Sequence, residues 1–158
     1  MADTGVDVDS CYFHDDSGRV DPSDISSPVT DSSKRKVIQY TVISDQTDTT
    51  DAPGGHGTHV AGTLVGFIPG ANIGFDALGQ YSGVANGAKL AVMDLAAGSS
   101  EGLSIPGSAD ATYLPGYSAG SRVHCNSWGS FFQSGDQGHY ASSDLDGWLQ
   151  QHPDGESI

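Results

Sequence analysis

The chain has 158 residues, room for one domain of ordinary size, and 6 Lys+Arg against 20 Asp+Glu give a net charge of −14. A pI near 4.3 argues against a nucleic-acid binder, which needs a basic face to neutralise phosphates, and no apolar run approaches the roughly 18 residues of a membrane span. Asp supplies 18 of the 20 acids and Gly another 22 residues; both favour turns and caps, which argues against a helical bundle or coiled coil.

In chain order, Asp3-Thr4-Gly5-Val6-Asp7 reads as the end of a buried strand. Only Met1-Ala2 precedes it, and a strand needs about five residues, so the chain is expected to begin inside an element. Residues 14–34 are polar and rich in Asp, Ser and Pro, which predicts one long exposed loop. The basic run Lys34-Arg35-Lys36 is expected as a solvated approach to the strand Lys36–Ile43, which is β-branched and partly alternating. A further Asp/Thr-rich loop closes at Asp51, so residues 12–52 form a long, loop-rich insertion around one strand.

From His56 to Gly66 the period changes. Val60 pairs with Leu64 and Ala61 with Val65 at i,i+4, predicting a short helix with His56 in its first turn and Gly66 after its end. Ala88–Leu95 is nearly continuous apolar sequence, suited to a parallel strand buried on both faces. Residues 97–110 read as loop and Arg122–Gly129 as a strand ending in a turn. Ser143 is positioned to cap a last helix in which Leu145, Trp148 and Leu149 share a face and Pro153 marks the stop. The pattern predicts an α/β fold.

Several short segments carry the chemistry. Asp3-Thr4-Gly5, His56-Gly57-Thr58-His59-Val60-Ala61-Gly62-Thr63, Gly83-Val84-Ala85-Asn86-Gly87-Ala88-Lys89-Leu90 and Asn126-Ser127-Trp128-Gly129 occur in that order. Together they resemble the subtilisin-like serine proteases (subtilases), over nearly the whole chain. The resemblance implies a doubly wound, mostly parallel sheet sandwiched by helices, incomplete at both ends, the chain forming part of a catalytic domain. It implies a serine endopeptidase in which Asp3 orients and stabilises His56, and His56 acts as general base and then general acid. Ser127, Trp128 and Gly129 would offer a strand edge to which a polypeptide substrate adds, and Gly98–Gly102 would supply the opposite edge by position.

The family's Gly-Thr-Ser nucleophile motif and its Ala-Gly-Asn-like oxyanion motif do not occur in these residues. The 158 residues alone are therefore expected to be inactive, because nucleophile and oxyanion donors supply most of the rate enhancement. The chemistry requires no cofactor. Structural calcium is a family habit that the Asp-rich loops allow, although no stretch has EF-hand spacing. Secretion or a digestive compartment is what the family implies for the full-length protein; specificity and oligomeric state are not encoded legibly.

Rival readings follow from the same residues. The domain is alternatively an inactive remnant or a binding module. Gly116-Tyr117-Ser118-Ala119-Gly120 fits the G-x-S-x-G elbow of esterases, with Asp144 or Asp146 and His152 completing a triad order. Pro115 just before it argues against the strand that such an elbow needs. His56 and His59 at i,i+3 make a weak metal pair without a third histidine at helpful spacing, and His59 reads as structural. Cys11 and Cys125 form either one bridge or none.

Overall fold

The computed structural model describes residues 1–43, 49–69, 79–96, 102–129 and 142–157. Strands β1 (Ala2–Asp3), β2 (Pro22–Asp24), β3 (Val37–Val42) and β4 (Leu90–Asp94) form a parallel sheet in the order β1-β4-β3-β2. Short strands β5 (Val123–His124) and β6 (Glu156–Ser157) pair in parallel beside it. Among the described residues, helices include α1 (His56–Val65), α2 (Ala109–Ser118) and α3 (Ser142–Gln151). This is the mixed α/β architecture that the sequence implies. No helix among the described residues is long and apolar enough to cross a membrane.

The two faces of the sheet follow from the period-2 alternation of strands. Tyr40, Val42, Leu90 and Val92 point to one face, where Ala61 and Val65 of α1 bury with them and Val60 and Leu64 pack at the edge. The i,i+4 pairs of the helical period thus seat α1. Ala2, Met93 and Leu95 point to the other face, against Leu103, Ile105 and Trp128. Helix α2 packs on that side, where Thr112 and Pro115 lie beside Gln39, Thr41 and Ala91. Tyr113 of α2 stacks at 5.1 Å on Trp148 of α3.

The structure departs from the expected elements in several places. The loop expected over 14–34 contains β2, so two strands of the central sheet lie within 12–52. The loop expected over 97–110 gives way at its end to α2, which is absent from the expected elements and forms despite the internal Pro115; Ser108 caps it by accepting the Ala111 N–H at 3.2 Å, and Asp110 occupies the first turn. Ser143 lies inside α3, which begins one residue earlier.

The basic run is not a solvated face. Lys36 is 3% exposed, and its ammonium donates to the carbonyls of Asn86 and Ala88. Arg35 donates to the carbonyls of Tyr12, His14 and Phe67. These residues tie loop carbonyls together rather than meet anions.

Candidate active site

Parallel pairing places the C-terminal ends of β1 and β4 side by side, with Asp3 opposite Asp94. That edge is where α/β sheets gather ligands and catalytic groups. Asp3 follows Ala2 on the alternating strand, so it faces α1 and is only 1% exposed. His56 is the first residue of α1. Its Nδ1 lies 2.6 Å from Asp3 Oδ1, and its side chain is 49% exposed. An ionised carboxylate only accepts, so Nδ1 carries the proton and Nε2 is the atom left basic. Asp3 Oδ1 also accepts the Thr4 N–H at 2.8 Å, whereas Asp3 Oδ2 is buried without a partner among the described residues.

Glycines make the close approach possible. A β-carbon on Gly57 would overlap the Gly5 carbonyl oxygen and stand 3.2 Å from Asp3 Cβ. Gly5 turns the chain just after Asp3 with φ +104°, a region that glycine alone enters freely. Gly55, the residue before α1, has φ 68° and no side chain to cap the helix.

Residues outside the expected set hold this arrangement. The Thr4 hydroxyl accepts the Gly57 N–H at 2.9 Å and donates to Asp51 Oδ1 at 2.7 Å. Asp51 Oδ2 accepts the Thr58 N–H at 2.6 Å. Behind them the buried Tyr40 hydroxyl accepts the Val6 N–H at 3.0 Å and lies 3.1 Å from Asp94 Oδ2. The sequence signal for Asp51 was weak, one aspartate in an Asp/Thr-rich loop. Asp94 is itself only 2% exposed.

Ser127, Trp128 and Gly129 lie along the free side of β1. The Ala2 N–H donates to the Cys125 carbonyl at 3.1 Å, and the Trp128 indole donates to the Ala2 carbonyl at 2.9 Å. Ser127 and Gly129 are exposed. Most of Gly98–Gly102 lies outside the described residues. Cys11 and Cys125 are both free thiols. His59 is exposed on α1, and no metal-holding cluster occurs among the described residues. A cavity of about 890 Å³ is lined by Asp7, Tyr12, Asp51, Thr58, His59 and Tyr81, among others, but by neither Asp3 nor His56.

The elbow reading is contradicted. Ser118 is the last residue of α2, so a helix precedes it and strand β5 follows, the reverse of the strand–turn–helix an elbow requires.

A serine protease/ABC transporter B family protein of Dictyostelium discoideum, tagD, is 35% identical over 157 residues, 98% of this chain and 8% of its own length. The similarly named tagA is 36% identical over 129 residues, 82% of this chain and 6% of its own. The chain thus spans a small part of these relatives. No solved structure matches it significantly. The family model described as the subtilase family matches residues 1–156, and the chain belongs to that family.

Proposed function

We propose that Asp3 and His56 are two members of the catalytic triad of a subtilisin-like serine endopeptidase. The observation that carries this reading is the 2.6 Å bond from a half-exposed imidazole to a buried carboxylate. In that arrangement Asp3 fixes the Nδ1–H tautomer and stabilises the imidazolium as it forms. Nε2 takes the proton of a serine hydroxyl as the hydroxyl attacks the scissile carbonyl, then returns it to the leaving amine. Ser127 and Gly129, exposed on either side of the partly buried Trp128, align a polypeptide substrate as an added strand.

The serine and the oxyanion donor come from outside these 158 residues, in which no Gly-Thr-Ser motif occurs. The 158 residues alone therefore show no peptidase turnover. The test is peptide hydrolysis by the intact protein beside the 158-residue chain. Turnover confined to the intact protein and abolished by His56→Ala supports the reading. Serine-reagent-sensitive turnover by the 158 residues alone overturns the assignment of the nucleophile.

A further inference from the structure

Asp51 lies five residues before His56, in a loop tied to the Asp3 segment. The Ala52 N–H donates to the Thr4 carbonyl at 3.0 Å, and the Val8 N–H to the Thr49 carbonyl at 3.3 Å. Both Asp51 oxygens are engaged, Oδ1 by the Thr4 hydroxyl at 2.7 Å and Oδ2 by the Thr58 N–H at 2.6 Å.

The Thr4 hydroxyl has one proton and two carboxylates in reach. Asp51 Oδ1 stands at 2.7 Å and Asp3 Oδ1 at 3.3 Å. The Asp51 distance is the ordinary one for an O–H···O bond, whereas the Asp3 distance lies beyond the usual range, so the proton goes to Asp51. Meanwhile the Thr4 oxygen accepts the N–H of Gly57, the residue after His56.

We propose that Asp51 is a positioning residue for the Asp3–His56 pair. By taking the Thr4 proton it leaves Asp3 Oδ1 for His56. By accepting the Thr58 N–H it closes the first turn of α1, which Gly55 cannot cap. A carboxylate there is also favoured by the positive end of the helix. The titratable groups on elements packed against the first turn of α1 include Asp3, bonded to His56, Asp51 and Asp7, each bonded to Thr58, and His59 on the helix itself. The inference rests on the proposed function for the meaning of the pair, not for the contacts.

The test is histidine-selective NMR on the intact protein, following the titration midpoint of His56 identified by loss of its signal in His56→Gln. In Asp51→Asn the amide oxygen keeps the Thr58 N–H while the amide NH₂ donates to Thr4, redirecting the Thr4 proton to Asp3. The midpoint then falls by about 0.5–1 pH unit, and Asp51→Glu restores at least half of it. Thr4→Val removes the contested proton and leaves the midpoint within about 0.2 unit. An unchanged midpoint in Asp51→Asn overturns the inference. So does a rise of about half a unit or more in Thr4→Val, which would mean that Thr4 serves Asp3; this arm decides alone if Asp51→Asn does not fold. Because loss of the Asp51 charge by itself also lowers the midpoint, positioning is isolated by the double variant Asp51→Asn/Thr4→Val, which has no contested proton. Positioning predicts that it recovers at least half of the fall; a helix cap acting by charge alone predicts that it recovers none, which would overturn the inference. Serine labelling of the same wild-type sample is scored separately, so loss of the protease reading is distinguishable from loss of this one.

Discussion

Replacing Gly57 by alanine tests whether the close approach of α1 to β1 is what brings His56 to Asp3. The added β-carbon overlaps the Gly5 carbonyl oxygen, with the Gly5 carbonyl carbon at 3.1 Å and Asp3 Cβ at 3.2 Å. Carbon contacts settle near 3.5–4.0 Å, and these neighbours are backbone or tightly held, so the first turn of α1 must retreat by about 1 Å. Overpacking of this kind costs roughly 1–3 kcal/mol, and a 1 Å misplacement of a catalytic group costs about 10²-fold in rate. Two glycines of the same segment serve as controls. A β-carbon on Gly62 meets nothing within 4 Å, so Gly62→Ala in the helix interior stabilises by about 0.5–1 kcal/mol. Gly55→Ala also finds open space but sits at φ +68°, costing roughly 1–2 kcal/mol of backbone strain. Denaturant unfolding of the three variants, with kcat/KM of the intact protein, provides the assay. Wild-type stability and rate in Gly57→Ala would refute the argument.

Other expectations follow from particular contacts. His124 is held down to about 3, from 6.5, chiefly by burial. The unfolded chain therefore binds the extra proton, and stability falls as pH drops from 6.5 towards 3, with a slope of at most about 1.4 kcal/mol per pH unit; unfolding across that window should lose this component in His124→Phe. Lys36→Met leaves the Asn86 and Ala88 carbonyls without their donor, and chemical denaturation should show a loss of about 1–3 kcal/mol. Trp128→Phe keeps the ring but removes the donor to the Ala2 carbonyl; about 1–2 kcal/mol of destabilisation is expected, together with faster amide exchange at Leu95, which donates to the Asp3 carbonyl.

Helix α1 is legible because its i,i+4 apolar pairs carry one clean period, and strand β4 because a nearly continuous apolar run suits a strand buried on both faces. The Asp3–His56 pair was legible through the motif around His56, which places the imidazole in the first turn. Helix α2 was not: Pro115 and Gly116 disguise it, and its stability comes from the Ser108 cap and from Tyr113 packing on Trp148, a partner far along the chain. The signal that would have found it is Ser108 with Asp110 at a helix start. Strand β2 is only three residues, partly exposed at a sheet edge, and no periodicity fits in so few. Asp51 was hidden by composition, since only the folded loop distinguishes it from its acidic neighbours. Lys36 reads as surface by type, yet two loop carbonyls on its far side bury it.

The central claim is that Asp3 and His56 act as one unit. Peptide hydrolysis by the intact protein, measured for His56→Ala, Asp3→Asn and the double variant, tests it most directly. Each single change is expected to lower kcat by about 10⁴–10⁶, the range found for triad residues of serine proteases, and the double change to cost little more than His56→Ala alone. Near wild-type turnover in His56→Ala, or losses that simply multiply in the double variant, would contradict the account.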